Sequence, residues 1–263
     1  MKSAEMFLRN KRHYDVPGRA EIYARKTTLH KAEEVIISHL AEKIRDQPVL
    51  DIGVGQGRTT PYLRALSGRY VGIDYSANML NACRAKYPDA ALLLCDGRHL
   101  SFGDETFEVI YFCWNAIDDL DHEDRMLILG EVNRVLRKGG VFFFSSHNLS
   151  GEIRSAFSFG GFVGSRNPFE FVRKNSARIG SYLFNVYNHL RNRKHEKHLR
   201  HYSIINDGDR YRLLTYYIDK ENQIAQLEGA GFRDVEVVGL DGSFIARDEP
   251  CRDNWLFYIA RKG

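Results

Sequence analysis

The residues with the clearest chemical potential lie in one short stretch. The apolar run Val49-Leu50-Asp51-Ile52 turns through Gly53, Gly55 and Gly57 into Arg58-Thr59. Glycines are needed where a backbone turns tightly and approaches a ligand without interference from Cβ. Asp74 ends the next apolar run, 21 positions beyond Gly53. A carboxylate there can accept hydrogen bonds from both ribose hydroxyls of an adenosine. Loop and acid together indicate a nucleoside-containing cofactor. The glycines follow G-x-G-x-G, not the G-x-G-x-x-G that opens a helix onto a pyrophosphate. Asp51, two residues before Gly53, would repel a pyrophosphate and suits a cationic amino-acid tail.

The elements that position these residues follow from the alternation of the chain. From about residue 47, β-rich runs (Val49–Gly53, Tyr70–Asp74, Ala91–Cys95, Val109–Cys113, Val141–Ser145) are separated by segments of helical spacing. That rhythm predicts a parallel sheet with right-handed crossovers. In Asp121–Lys138, Ile128, Val132 and Val135 share a face, with Asp121 capping the start and Gly139 the end. Upstream, Ala32, Ile36, Leu40 and Ile44 repeat every four residues as a helix packed on the sheet. Tyr14 and Tyr23 lie before it, near a Pro17-Gly18 break. Near the end of the chain, the helix Glu221–Gly229 precedes Val235–Leu240 and Trp255–Ala260. A loop joins these two strands, so they pair antiparallel. The expected fold class is α/β: a seven-stranded, mostly parallel, doubly wound sheet with an antiparallel last strand. Residues 149–218 break the rhythm with many aromatics and are expected as a mainly helical cap after the fifth strand. The domain organisation is therefore 1–148 with 219–263 as the binding domain (1–46 its helical preface), and 149–218 as an inserted substrate-recognition region.

These motifs resemble the class I, Rossmann-like S-adenosylmethionine-dependent methyltransferases of small-molecule type, over roughly residues 30–147 and 220–263. The resemblance implies that Asp51, Gly53, Gly55 and Gly57, with Thr59, hold the methionine part of S-adenosylmethionine. It implies that Asp74 holds the ribose, with Tyr75 and Met79 flanking the adenine. Cys95-Asp96-Gly97-Arg98-His99-Leu100-Ser101-Phe102 followed by Phe107-Glu108-Val109-Ile110 matches the family's third-strand segment, with Ser101 in place of proline and Glu108 in place of aspartate. Asp96 would accept from the adenine amino group, and the Gly97 and Arg98 backbone would face the ring. Trp114 and Asn115 would border the transferred methyl, and Tyr23 is added to the cofactor set. S-adenosylhomocysteine is the implied product.

A hydroxyl or carbon acceptor also requires removal of a proton. His147, after the fifth strand, and Asp119 and His122, after the fourth, are the catalytic candidates; Asp121 is better explained as a helix cap. Tyr202, Tyr216 and Tyr217 are the substrate-binding candidates, or else pack a strand into a local core. Transfer to a small-molecule acceptor, on oxygen, is the leading expectation. One alternative is a nucleic-acid methyltransferase using the basic run Arg191–His201, although such a run is more often a solvated helix face. The other is a protein that binds the cofactor without catalysing transfer.

Bulk properties leave this reading open and exclude others. The chain has 263 residues, 43% hydrophobic and 27% charged, as a globular protein does. A net charge of +4 demands neither nucleic acid nor membrane. No apolar run approaches the roughly 18–20 residues of a membrane span, and Met1 to Arg12 does not read as a secretory signal. Cys83, Cys95, Cys113 and Cys251 are scattered, as buried thiols of a reducing cytoplasm would be. No metal is expected, because the histidines His195, His198 and His201 lack further ligands at a familiar spacing. A monomer or homodimer in the cytoplasm, with no nucleic-acid or membrane partner, is the expected state.

Overall fold

A computed structural model describes residues 3–16, 18–19, 23, 27–112, 114–153 and 155–263. Pro17 and Cys113 lie outside these residues. Strands β1 (Val49–Ile52), β2 (Tyr70–Asp74), β3 (Ala91–Leu94), β4 (Phe107–Phe112) and β5 (Leu136–Asn148) pair in parallel in the order β3-β2-β1-β4-β5. Reversal of strand order on either side of β1 opens a crevice at the C-terminal strand ends, where ligands bind in such sheets.

Helices cover both faces. α2 (Lys31–His39) and α3 (Ala41–Ile44) place Ala32, Ile36, Leu40 and Ile44 against Val49, Val109 and Phe257. The four-residue repeat is satisfied by two helices, because the chain breaks at Leu40. α4 (Thr60–Leu66) and α5 (Ala77–Lys86) connect β1 to β2 and β2 to β3. On the opposite face, α6 (His122–Val135) buries Ile128, Val132 and Val135 against Leu50, Ile110 and Phe144. The Asp121 carboxylate caps α6, accepting from the Asp124 amide at 3.1 Å. Gly139 does not close this helix: α6 ends at Val135, and Leu136 already pairs with Phe107 in the sheet. Gly139 instead turns the chain within β5 at φ 68°.

The insertion is helical only in part. α7 (Pro168–Asn192) starts with Pro168 in its first turn and the Asn167 side chain accepting from the Phe169 amide at 2.9 Å, an N-terminus of ordinary chemistry. The chain then returns as β6 (Lys197–His198), β7 (Ser203–Asp207) and β8 (Leu213–Ile218). Every residue of β8 is buried. Beyond the end of β4, β8 takes its place beside β5, pairing Tyr217 with His147 and Ile218 with Asn148. The basic run thus leaves the helix at Asn192 and is not one helix face.

α8 (Lys220–Gly229) leads to β9 (Phe232–Val238), the two-residue β10 (Phe244–Ile245) and β11 (Trp255–Lys262). β11 lies between β5 and β9, antiparallel to both. The seven expected strands are therefore present with the expected antiparallel last strand, and β6, β7, β8 and β10 extend the sheet to eleven. At the N-terminus, α1 (Ser3–Tyr14) crosses the strand ends. Its Asn10 side chain donates to the carbonyls of Asp119 at 2.8 Å and Leu214 at 3.0 Å. Cys83, Cys95 and Cys251 are free thiols, Cys83 buried and the other two half-buried. No helix of the described residues is long and apolar enough to cross a membrane.

Candidate active site

A cavity opens at the C-terminal ends of β1, β2 and β4. Its wall includes Asp51, Gly53, Gly55, Thr59, Asp74, Tyr75, Met79, Asp96, Gly97, Trp114 and Tyr23, all expected from sequence. The glycine loop leaves β1 with Gly53, Gly55 and Gly57 at φ 66°, 56° and 85°. A Cβ on Gly57 would stand 2.6 Å from the Tyr87 ring, so Gly57 is held by packing from behind. The Asp74 carboxylate spans the crevice, accepting from the Gly55 amide and the Ser76 amide, each at 2.8 Å. These bonds lock the loop to the end of β2. Asp51 is buried and accepts from Thr59 Oγ1 at 2.7 Å and the Tyr70 hydroxyl at 2.9 Å.

Electrostatics define what the cavity can hold. Burial pushes Asp51 up to about 7, against the opposing hydrogen bonds of Thr59 and Tyr70. Burial likewise raises Asp74 to about 6 and Asp119 to about 7. None of these three holds an ion pair among the described residues, although all line the cavity. A pocket lined by three carboxylates without ion pairs among the described residues favours a cationic ligand and disfavours a pyrophosphate. S-adenosylmethionine carries an ammonium and a sulfonium, so the donor set fits it. One further feature belongs to this fit. Trp114 and Asn115 occupy consecutive left-handed conformations, φ 61° and 53°, and the buried Asn115 Oδ1 accepts no hydrogen bond among the described residues. Non-glycine residues held this way store roughly 1–3 kcal/mol each and cluster at functional sites.

The remaining expected positions separate into three environments. Arg98 is not in the cavity wall: its guanidinium pairs with Asp96 at 2.7 Å and Asp124 at 3.0 Å and lies over Phe7. This clip orients Asp96, and the Arg98 side chain has no free contact to offer a ligand. His122 stacks on Tyr202, with ring centroids 4.5 Å apart, and its Nδ1 meets the Tyr216 hydroxyl at 2.9 Å. Burial and the Arg125 charge lower its pKa. His122, Tyr202 and Tyr216 thus form a packed aromatic group outside the cavity wall. Tyr217, on the opposite face of β8, instead stands 5.0 Å from the His147 ring and donates to the Asp207 carboxylate.

His147 is the centre of a second cluster just beyond the cavity. In the sheet it lies between Trp255 of β11 and Tyr217 of β8. Its Nδ1 and its amide both meet Asp118 Oδ2, at 2.7 and 2.6 Å. Asp118 is fully buried, and its Oδ1 accepts from Arg125 at 2.5 Å and Ser146 Oγ at 2.8 Å. Burial lowers the His147 pKa, but Asp118 outweighs it and the net shift is upward. The Nε2 atom faces Asn115 at 3.4 Å, so the imidazole reaches toward the cavity through one residue. His30 bridges Trp114 and Trp255 at 5.5 and 4.9 Å between centroids, giving this side an aromatic wall. Asp118 is not among the residues expected from sequence. Its partners Arg125 and Ser146 and the cavity residues Phe7, Asn10 and Tyr14 were not assigned; α1 supplies the last three, with Asn10 and Tyr14 reaching Asp119 across 109 and 105 positions. The Glu33–Arg58 pair beside the glycine loop, 2.5 Å apart with Arg58 over Trp114, was missed too.

Fold and cavity together define the class I, Rossmann-like methyltransferase architecture. Residues 50–144 match the family profile described as a methyltransferase domain. Among curated relatives, the chain is 29% identical over 127 residues to a malonyl-[acyl-carrier protein] O-methyltransferase from Hamiltonella defensa, covering 48% of each chain. It is also 29% identical over 168 residues to a probable S-adenosylmethionine-dependent methyltransferase from Mycolicibacterium smegmatis, covering 64% of this chain and 60% of that protein. The chain thus spans about half the length of the curated relatives it matches. A solved structure of a 1,6-didemethyltoxoflavin-N1-methyltransferase from Burkholderia thailandensis, with 1,6-didemethyltoxoflavin and S-adenosylhomocysteine bound, superposes with a TM-score of 0.58 at 15% identity. That alignment covers 100% of this chain and 91% of the other.

Proposed function

We propose that this protein transfers a methyl group from S-adenosylmethionine to a hydroxyl of a small, planar acceptor. The observation that carries the reading is the Asp118–His147 pair, set beside the donor cavity between Trp255 and Tyr217. When bound, the donor supplies an activated methyl that leaves its sulfur in an in-line displacement. The chain's own residues then have three tasks. Asp51, Asp74 and Asp119 line the cavity as carboxylates and favour a cationic donor. Trp114, His30, Trp255 and Tyr217 hold a flat acceptor against the cavity mouth, where closeness and alignment supply most of the rate. Asp118 fixes the His147 tautomer with its proton on Nδ1, which leaves Nε2 to take the acceptor hydroxyl proton as the new O–C bond forms. The imidazolium, stabilised by the buried carboxylate, afterwards returns that proton to solvent.

The test is methyl transfer from labelled donor to a panel of phenolic and carboxylic acceptors by wild type, His147→Ala and Asp118→Asn. A general base contributes roughly a hundredfold to ten-thousandfold. Both variants should therefore lose at least about a hundredfold in kcat on phenols, with S-adenosylhomocysteine affinity unchanged. An acceptor that is already a carboxylate needs no base. Equal rates for His147→Ala and wild type on every acceptor would overturn the role given to His147.

A further inference from the structure

The long helix of the insertion is built the wrong way round for a core element. Its buried residues are Asn175, Asn188 and Asn192. These side chains donate to main-chain carbonyls: Asn175 to Val163, Asn188 to Arg210 and Asn192 to Tyr211, at 2.9–3.1 Å. Many of its apolar residues are exposed instead. Phe169, Val172, Ile179, Leu183, Tyr187 and Leu190 recur at helical spacing along one side, with Phe169 88% and Val172 64% exposed. Phe162, just before the helix, is 64% exposed as well. An apolar stripe of this length rimmed by polar residues marks an interaction surface.

The charge around the stripe selects the partner. Residues 160–200 hold nine Lys and Arg against two acids, a net +7, while the whole chain is only +4. Arg173 and Arg191, about five helical turns apart, lie on one flank of the stripe near its two ends, and both are exposed. A second copy meeting this face would bring two strongly positive regions together, which disfavours self-association. An apolar aromatic stripe edged by Lys and Arg is the pattern of a helix that lies in the plane of a lipid–water boundary. We propose that α7 adsorbs the protein onto an anionic lipid surface, with the apolar stripe in the acyl boundary and the basic residues against the headgroups. Such a helix binds without spanning, in keeping with the lack of any membrane-crossing helix among the described residues. The inference rests on this face alone and does not depend on the acceptor chemistry.

The test is co-sedimentation of the full chain with vesicles of phosphatidylcholine alone and of equal parts phosphatidylcholine and phosphatidylglycerol. Wild type should bind the anionic vesicles, release them at high salt, and leave the zwitterionic ones in solution. Leu183→Gln with Tyr187→Gln should abolish the binding. Arg173→Gln with Arg191→Gln should weaken it roughly thirtyfold. Unchanged melting temperature and S-adenosylhomocysteine affinity would show that these exposed substitutions leave the fold intact. Absence of vesicle binding, equal binding to both vesicle types, or undiminished binding by the Leu183/Tyr187 variant would overturn the proposal. So would a dimer or an RNA complex that the same substitutions disrupt while vesicles are ignored.

Discussion

At the residue scale, three carboxylates with raised pKa values line a space suited to a cation. Because burial raises Asp51 and Asp119 to about 7 and Asp74 to about 6, a cationic ligand that needs them charged must expel protons as it binds. The sign follows from linkage: protons released on binding mean that affinity rises with pH until all three are ionised in the free protein. Asp74 should matter beyond its charge, since its two oxygens tie the Gly55 and Ser76 amides. Asp74→Ala should lower S-adenosylhomocysteine affinity by more than about tenfold, the loss of one or two charge-assisted hydrogen bonds, measured by calorimetry. His147 gives a separate pH signature. Its raised pKa means that kcat/KM on a phenolic acceptor should climb through a midpoint above its ordinary 6.5. Asp118→Asn should move that midpoint down, as read from a pH–rate profile. Arg125 is wholly buried among Asp118, Ser146, Gln223 and Gln226. Arg125→Met leaves the Asp118 carboxylate buried without that partner and should cost about 3–5 kcal/mol in chemical denaturation.

At the element scale, the donor side was legible because each of its parts is local. A strand, a glycine turn and a second strand ending in an acid lie within 26 residues, Val49 to Asp74, and each announces itself by type and spacing. The side proposed for the acceptor was not, because it is assembled across the sheet. His147 becomes a neighbour of Tyr217 and Trp255 only through pairings 70 and 108 positions apart. The return of the insertion as β8 was obscured by its tyrosines, which suit either a cap or a strand. One signal was available: Tyr216 and Tyr217 are consecutive, so in a strand they must face opposite ways and cannot both line one pocket. Gly139 misled for a related reason, since a positive-φ glycine serves a turn inside β5 as readily as a helix end. The Asp121 cap was read correctly, and Asp121→Ala should destabilise the protein by about 1 kcal/mol, visible as a lower denaturation midpoint with unchanged slope.

At the scale of the whole molecule, one sheet carries a cavity and, beside it, the His147 cluster at its C-terminal edge. The carboxylate-lined cavity under α1 is preorganised for the donor, while the aromatic wall around His147 is built by the insertion and the last strand. Separate construction lets one half be conserved in chemistry while the other is adapted to an acceptor. Since α1 is stitched across the cavity by Asn10, a bound donor should stabilise the entire fold. S-adenosylhomocysteine at about a hundred times its Kd should add about 2.7 kcal/mol, seen as a rise of several degrees in melting temperature. The central claim, a pocket shaped for a cationic nucleoside donor, is tested most directly by titrating S-adenosylmethionine into the protein calorimetrically near pH 6 and near pH 8. The account predicts binding at both, at least roughly tenfold tighter at the higher pH, with protons released to the buffer near pH 6. Failure of the folded protein to bind S-adenosylmethionine, or tighter binding at the lower pH, would contradict it.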